Sequence, residues 1–216
     1  MIEKIRVIGA GLAGSEAAIY LAKKGYEIDL FEMRPKHKTG AHTTDYPAEL
    51  VCSNSLGSLD ILSAGGLLKE EALRLGSTLF DIAKKCAVPS GNSLSIDRFG
   101  FCEEVKKIID SYKNINLINE KYEKIDPNIP TIIATGPLSA KELAENIKEE
   151  FGEDNFHFFD AIAPIVEKNS INFDKAFWAS RWDKGNADFI NCPLNEKEYE
   201  KSEDFNITEA YTMLEM

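Results

Sequence analysis

The hydrophobic pattern at the start of the chain predicts a strand, a helix and a second strand. Lys4 to Ile8 is a short apolar run that ends at a glycine, which is typical of a buried parallel strand. Small and apolar positions at helical spacing predict a helix over Leu12 to Lys24, and Gly25 stands where a helix commonly ends. Glu27 to Glu32 is the second predicted strand. The chain therefore opens with the elements of a βαβ unit.

Further helices and strands follow in the pattern. Helices are expected at Leu67 to Lys85, at Asp97 to Ser111 with Asp97 as N-cap, and where a Ser139-x-x-Glu142 capping box opens a helix that Gly152 closes. Strands are expected at Ser93 to Ile96, Ile115 to Asn119, Tyr122 to Ile125 and, as a buried strand, Thr131 to Thr135. The predicted fold class is α/β, with a Rossmann-like domain.

The composition of the sequence changes after residue 155. It becomes aromatic and rich in turn residues, with Phe158, Phe159, Phe173, Phe177, Trp178 and Trp182 close together. We interpret residues 156–216 as the start of an inserted α+β module and residues 1–155 as the first part of the Rossmann-like domain. The aromatic side chains are either the small core of that module or a platform on which a base or a pterin stacks.

Composition excludes several classes of protein. The apolar content of 44% is ample for a core, and no apolar run approaches the roughly 20 residues of a membrane span. The first strand begins too early to leave room for a signal peptide. The four cysteines are scattered without a CxxC pair, which argues against a zinc site and a disulfide framework and fits a reducing cytosol. We therefore expect a cytoplasmic protein without a metal site.

The formal net charge of −11 speaks against a nucleic-acid binder, because phosphate contacts usually require a basic surface. A local basic patch remains compatible with this charge. The one compact basic cluster lies in a long polar loop and consists of Arg34, Lys36, His37, Lys38 and His42. It either meets the phosphates of a nucleic acid or of a cofactor, or it is a solvated loop.

A GxGxxG motif occupies the junction between the first strand and the first helix, in the run Gly9-Ala10-Gly11-Leu12-Ala13-Gly14. Gly9 permits the tight turn, Gly11 lets the backbone approach a diphosphate, and Gly14 lets helix and strand pack closely. Glu32, at the end of the second strand, is spaced as a ribose-binding acid. The motif predicts a dinucleotide site, the alternative being a glycine-rich turn that binds nothing.

Three features favour FAD over NAD as the dinucleotide. Ala18 follows Gly14 by four residues and keeps the close-packed face of the helix small for two turns. Glu32-x-Arg34 resembles the FAD version of the motif. Gly136, in the run Ala134-Thr135-Gly136 after a strand, would let the backbone pass close to a cofactor, although a plain strand-end turn explains it as well. The predicted domain is an FAD-binding domain of the GR2 flavoprotein type.

Several further segments resemble one family, the folate- and FAD-dependent tRNA (uracil-5-)-methyltransferases (the TrmFO family). They are Glu32-Met33-Arg34-Pro35, Glu49 to Leu56 (ELVCSNSL), Gly66 to Glu71 (GLLKEE), Asp97-Arg98, Ile132 to Leu138 (IIATGPL), Asp160 to Val166 (DAIAPIV), Ala179-Ser180-Arg181 and Asn191-Cys192-Pro193. The resemblance runs from residue 2 to about residue 200, and ELVCSNSL is its most specific part.

The resemblance implies a particular chemistry. In that family 5,10-methylenetetrahydrofolate supplies a carbon, reduced FAD supplies electrons, NAD(P)H reduces the flavin, and the product is 5-methyluridine in the T loop of tRNA. The family uses two reactive cysteines, and Cys52 matches one of them. A cysteine of lowered pKa is needed because uracil C5 becomes nucleophilic only after a thiolate adds at C6. The alternative for Cys52 is a buried, inert thiol.

One departure from the family pattern stands out. The second reactive cysteine lies in a Gly-Cys-Leu/Met-Pro segment, which this sequence lacks. The stretch from Ser202 to Met216 also reads as the tail of a truncated product, so we expect an unpaired sheet edge, poor stability and no methylation by this chain. The alternatives are an FAD- or ADP-binding remnant without turnover, a related flavoprotein that modifies the wobble uridine of tRNA, and a general FAD oxidoreductase.

For four other residues the sequence predicts a location in the fold. Cys86 and Cys102 fall on apolar helix faces and are expected in the core, whereas Cys192 either lines a pocket or is structural. Arg98 is expected to be a surface residue beside a helix cap.

Overall fold

The computed structural model describes residues 4–51, 53–151, 168–181, 184–195 and 197. In chain order the elements are β1 (Lys4–Ile8), α1 (Leu12–Lys23), β2 (Glu27–Phe31), β3 (Ser55–Ser58), α2 (Ala64–Arg74), α3 (Thr78–Lys85), β4 (Ala87–Val88), β5 (Ser93–Ile96), α4 (Arg98–Ser111), β6 (Ile115–Ile118), β7 (Thr131–Ile133), α5 (Lys141–Phe151), β8 (Phe177–Arg181) and β9 (Lys184–Asn191). Short 3-10 helices lie at Gly136–Leu138 and Lys168–Ser170.

A four-stranded parallel sheet in the order β6-β2-β1-β7 organises these elements. Strand β1 pairs with β2 along its whole length, from Lys4 opposite Glu27 to Ile8 opposite Phe31. A three-stranded antiparallel sheet, in the order β3-β5-β4, and the hairpin of β8 and β9 are separate. The predicted α/β class, with β1, α1 and β2 at its start, is confirmed.

Side chains on the two faces of the parallel sheet enter two different hydrophobic clusters. Val7 belongs to the larger one, which also takes in residues of α1, α3, α4 and β5. Its neighbour Ile8 points the other way and packs with Leu143 and Ile147 of α5. This alternation is the period of two expected along a strand. Helices therefore cover both faces, and the end of β1 lies between them.

The junction of β1 and α1 is closely packed around two glycines. Gly9 has a φ of +92°, a conformation that L side chains rarely adopt. A Cβ on Gly14 would lie 1.8 Å from the carbonyl oxygen of Gly9, so only hydrogen fits there. Ala18, one turn further, is completely buried. The roles predicted for Gly9 in the turn and for Gly14 in helix packing agree with this geometry.

The helix predicted from Leu67 to Lys85 is two helices, α2 and α3. Gly76 adopts a φ of +86° between them, which ends the first helix. Ser77 then begins the second, since its hydroxyl accepts a hydrogen bond from the N–H of Phe80 (3.4 Å). The first helix also starts earlier than predicted, because Ser63 caps it through the N–H of Gly66 (3.1 Å).

The predicted strand from Tyr122 to Ile125 is wrong, because this segment is irregular and is held by side chains. The Tyr122 hydroxyl accepts a hydrogen bond from Arg6 (3.0 Å) and its ring meets that of Phe31 edge-on. The N–H of Ile125 donates to Asn146 of α5 (2.8 Å). These long-range contacts take the place of a β ladder.

The predicted capping box is also wrong. The Ser139 hydroxyl donates to the carbonyl of Gly136 (2.9 Å), and the Glu142 carboxylate accepts from Lys121 (2.8 Å). The side chains of Ser139 and Glu142 therefore bond elsewhere and do not form the reciprocal hydrogen bonds of a capping box at the start of α5. Gly152, predicted to end this helix, lies outside the described residues.

Strand β7 exists but is shorter and less buried than predicted. It ends at Ile133, and Ile132 remains 38% exposed. Within the described residues β7 pairs with β1 alone, so it forms an edge of the sheet there. The unpaired sheet edge expected from the sequence stays a prediction for the whole chain, because residues 152–167 and 198–216 are not described.

The hairpin of β8 and β9 carries the described part of the aromatic segment. Phe173 stacks on Trp178 with ring centroids 6.2 Å apart, and both rings remain partly exposed. The N–H of Gly91 donates to Asp188 (2.8 Å), which ties the hairpin to the turn before β5. Phe158, Phe159 and Trp182 lie outside the described residues, so a module boundary at residue 156 stays a prediction. None of the described helices combines the length and the apolar character needed to cross a membrane.

Replacing Gly14 by Ala should destabilise the fold by about 2 kcal/mol or more, because the new methyl group collides with the backbone of Gly9. Gly40→Ala is the matched control, since a Cβ at Gly40 meets nothing within 4 Å and should change the free energy of unfolding by less than about 0.5 kcal/mol. Urea unfolding followed by circular dichroism measures both. Equal stability of the two variants would contradict the packing described here.

Candidate functional site

A cavity of about 500 Å³ opens where the parallel strands end. Ile8 and Phe31, the last residues of β1 and β2, line it, as does Ala134, which follows β7. Ligands of open α/β sheets bind at this carboxyl edge. The volume falls in the range of roughly 300–1,000 Å³ that is usual for small-molecule sites.

The glycine loop forms one wall of the cavity through Gly9, Gly11, Leu12 and Ala13. A Cβ on Gly11 would meet no atom within 4 Å, so the backbone there is open to a ligand. Helix α1 starts next to it with no side-chain cap and no acidic residue in its first turn. Its free N–H groups and its dipole therefore favour an anion such as a diphosphate at this position. The fold and the loop fit a dinucleotide.

Glu32 lies behind this loop rather than standing free. Its carboxylate accepts hydrogen bonds from the N–H of Ala10 (3.1 Å) and from the Nε of Arg34 (2.9 Å). Burial acts to raise the pKa of Glu32, but Arg34 and the Ala10 N–H outweigh it, so the pKa lies below its ordinary value. Glu32 is thus an anion that fixes the glycine loop and still lines the cavity.

Arg34 is the centre of a buried ionic cluster. Only 1% of its surface is exposed, although its guanidinium is charged. It pairs with Glu32 through Nε (2.9 Å) and with Glu49 through Nη1 (3.0 Å). Such a cation is stable in the interior only because two carboxylates compensate it. The pairing joins the end of β2 to a segment fifteen residues away in the sequence.

Glu49 fixes the polar loop in turn. The backbone N–H and the hydroxyl of Thr43 and of Thr44 all donate to its carboxylate, at 2.8 to 3.1 Å. Burial acts to raise the pKa of Glu49, whereas the Thr43 and Thr44 bonds lower it, and the result is a pKa below the usual 4.5. The stability that this carboxylate contributes is therefore complete above about pH 4.5 and is lost as the pH falls through the folded-state pKa.

The same loop is tied directly to the glycine motif. The N–H of Ala48 donates to the carbonyl of Ala10 at 2.7 Å. Ala48 adopts a left-handed φ of 56°, which costs about 1 kcal/mol or more for a residue with a Cβ. Backbone strain of this kind commonly occurs at functional sites.

Cys52, the predicted catalytic residue, lies outside the described residues. Its neighbours Val51 and Ser53 both line the cavity. Asn54 is anchored twice, since its side chain accepts from Arg98 (2.9 Å) and its carbonyl accepts from the N–H of Ile96 (2.9 Å). The described residues on either side of Cys52 therefore line the cavity, and Asn54 beyond them is anchored to β5 and α4.

Arg98 is not the surface residue that the sequence suggested. It is buried at the start of α4, where it holds Asn54. The Asp97-Arg98 pair was one of the segments that carried the family resemblance. This membership was the signal in the sequence that Arg98 has a role other than that of a surface residue beside a helix cap. Asp97 precedes α4 as predicted, although its side chain makes no capping bond.

The other described cysteines are not part of the cavity wall. Cys102 is completely buried, as predicted, and burial raises the pKa of its thiol to about 12, so it is inert. Cys86 is half-buried at the end of α3 and packs against the core, and burial raises its pKa too. Cys192 is exposed. No cluster of three His, Cys, Asp or Glu side chains able to hold a metal occurs in the described part of the chain.

The predicted basic cluster is not a single patch. Arg34 is buried with its carboxylates, Lys36 lies 3.6 Å from Glu120, and Lys38 pairs with Asp45. Each cation thus has an acidic partner, which sequence spacing could not show. His37 is exposed, whereas His42 lines the cavity.

The predicted cofactor residues divide into two groups. Seven of them line the cavity: Gly9, Gly11, Leu12, Ala13, Glu32, Arg34 and Gly136. Ala10 and Gly14 lie behind it and hold the loop in place. Glu49, which closes the ionic cluster, was not predicted individually, although it begins the ELVCSNSL segment.

Arg34→Met should destabilise the chain by about 3–5 kcal/mol, because two buried carboxylates lose their cation. Lys38→Met removes an exposed pair of the same loop and serves as the control, with little change expected. The free energy of unfolding in urea measures both. Similar small losses in the two variants would show that the ionic cluster does not hold the site together.

Comparison with known proteins agrees with the resemblance noted in the sequence. The sequence model of the family described as Glucose inhibited division protein A matches residues 4–214. The methylenetetrahydrofolate–tRNA-(uracil-5-)-methyltransferase TrmFO of Aquifex aeolicus is 51% identical over 201 residues, which are 93% of this chain and 45% of the relative. The Bacillus subtilis protein of the same name is 49% identical over 92% of this chain and 46% of its own length.

Among solved structures, GidA of Aquifex aeolicus aligns with a TM-score of 0.48 at 18% identity, covering 62% of this chain and 25% of that one. The chain spans about half the length of the curated relatives it matches. The family model covers nearly all of it, from the glycine loop to beyond the aromatic hairpin. The chain therefore belongs to the family described as Glucose inhibited division protein A.

Proposed function

We propose that this chain binds FAD in the cavity and serves the methylation of uridine at C5 in the T loop of tRNA. Methylenetetrahydrofolate as carbon donor, NAD(P)H as reductant and a cytoplasmic location belong to the same proposal. The observation that carries it is the buried Glu32–Arg34–Glu49 cluster, which joins a dinucleotide loop to the segment of Cys52 around one cavity. Relatives at about 50% identity bear the methyltransferase name.

The residues present fit FAD. Gly11 leaves open space beside the N-terminus of α1, where the diphosphate would lie, and Glu32 lines the cavity where the ribose hydroxyls would lie. Gly136, with a φ of +61°, adds backbone without a side chain to the cavity wall, directly after Ala134 and Thr135, which pack against Gly9. When bound, FAD would supply the electrons that turn a one-carbon unit into a methyl group.

The protein side of this chemistry requires a dry pocket and a reactive thiol. Leu12, Leu50 and Leu56 contribute apolar surface to the cavity wall, and this surface would help to exclude water once a ligand covers it. We assign Cys52 as one of the two reactive cysteines of the family, the other being the uracil nucleophile of the Gly-Cys-Leu/Met-Pro segment, because the neighbours of Cys52 line the cavity and the described cysteines do not. The identity to the methyltransferases also favours this function over modification of the wobble uridine.

Purified chain should take up FAD with the absorbance of a bound flavin, and Gly11→Val should weaken binding at least tenfold. A side chain at residue 11 fills the space of the diphosphate and meets no protein atom, so the fold should be unaffected. Gly40→Val, at another open position, is the control for stability and binding. Calorimetric titration measures the affinity. A chain that takes up no FAD, or a Gly11→Val variant of unchanged affinity, would contradict FAD binding at this loop.

The chain as given should form no T-loop 5-methyluridine by itself, and in a version extended to the length of the curated relatives Cys52→Ala should abolish this nucleoside in the tRNA of the source organism. Cys192→Ala is the matched control, because Cys192 is exposed and away from the cavity. Mass spectrometry of digested tRNA measures the nucleoside. Normal levels of 5-methyluridine in the Cys52 variant would exclude this cysteine from the reaction.

A further inference from the structure

His42 lies in the wall of the cavity and has no part in the function proposed above. It is half-buried, and of the described residues that line the cavity it is the only histidine. Its Nδ1 lies 2.7 Å from the hydroxyl oxygen of Thr39. That oxygen also accepts a hydrogen bond from the N–H of Ala41 (3.3 Å), and its bond to Nδ1 forms in either direction according to the tautomer of His42. Nε2 is then the ring nitrogen left for a ligand.

The backbone around His42 is fixed beside the glycine loop. Thr43 and Thr44, the next two residues, donate four hydrogen bonds to Glu49. Ala48 donates to Ala10 within the glycine motif itself. The loop that carries His42 is therefore bonded to Glu49 and, through Ala48, to the glycine loop, and His42 lines the same cavity as Gly11.

The charges around His42 come from several elements. Arg34, Glu32 and Glu49 act on it from the buried cluster, and Glu120 and Lys121 line the same cavity after β6. Lys38 and Asp45 form a pair within its own loop. Burial lowers the pKa of His42, and Arg34 lowers it further against the opposite effect of the two glutamates. The imidazole is consequently neutral near pH 7 in the free chain.

We propose that His42 contacts the diphosphate of the bound dinucleotide and takes up one proton from solvent when that ligand binds. This inference rests on the proposed FAD binding and goes beyond it by assigning an uptake of one proton to the binding step. In the imidazolium that results, both ring nitrogens carry a proton, so Nδ1–H donates to the Thr39 hydroxyl oxygen and Nε2–H donates to a phosphate oxygen. No bond other than N–H forms or breaks.

The sign of the linkage follows from the direction of the change. A diphosphate within about 4–6 Å favours the charged imidazole, so the pKa of His42 is higher in the complex than in the free chain. The added affinity is therefore fully present below the free-state pKa and is lost as the pH rises through the bound-state pKa. A rise of about 1 in pKa corresponds to a tenfold change in affinity.

The test compares FAD with riboflavin, which lacks the diphosphate, between pH 5.5 and pH 8.5. Calorimetry in two buffers of different ionisation enthalpy gives both affinity and proton uptake. We expect wild type to take up a proton with FAD and to lose roughly tenfold in FAD affinity over this range. The affinity for riboflavin should not change with pH. His42→Gln keeps a polar group but cannot titrate, so its affinity for FAD should not change with pH. His37→Gln alters an exposed residue and should behave as wild type.

FAD binding without proton uptake, or uptake that persists in His42→Gln, would overturn the inference and leave FAD binding intact. A wild-type chain that binds no FAD at any pH would overturn the proposed function instead. The NMR titration of the histidine Cε1–H signals with ADP-ribose then decides the inference separately, because ADP-ribose carries the same diphosphate diester, whose charge is constant over this pH range. The chain has three histidines, so the two Gln variants assign the signals. A pKa of His42 that ADP-ribose raises supports the inference, and an unchanged pKa refutes it.

Discussion

The buried guanidinium of Arg34 is the interaction on which the candidate site depends. A charge with 1% exposure requires compensation, and Glu32 and Glu49 provide it from two separate segments. Through Glu32 the cluster reaches the N–H of Ala10 in the glycine loop, and through Glu49 it reaches the loop of His42 and the segment of Cys52. One cation thus connects the glycine loop, through Glu32, to Glu49 of the connection after β2. Removal of the Arg34 guanidinium should therefore destabilise both the glycine loop and the connection after β2.

The strand-end cavity shows how a common fold acquires a specific site. The parallel sheet and the glycine turn create an anion site that many α/β proteins share. The specific part comes from the connection after β2, where Ala48 bonds to the glycine loop, and from Arg98, which anchors Asn54 beyond Cys52. Loops held by a rigid sheet commonly carry function in this way.

Much of the fold follows from local patterns in the sequence. The glycine motif, the first two strands and the Asp97 helix start depend on residues close together in the chain, and the structure confirms these elements. The errors arise where distant partners decide the outcome. Tyr122 binds Arg6 across the sheet instead of joining a ladder, and Arg98 turns inward to Asn54. Pattern and spacing contain no information about such partners, which is also why the ionic cluster of Arg34 was mistaken for part of a basic loop.

Hydrogen–deuterium exchange with and without FAD tests most directly whether the glycine loop and the loop after β2 form one binding site. Backbone amides of residues 9–14 and of residues 41–51 should both exchange more slowly with FAD bound, while the hairpin of β8 and β9 should exchange at an unchanged rate. Protection confined to one of the two loops, or the absence of protection in residues 9–14, would contradict the account.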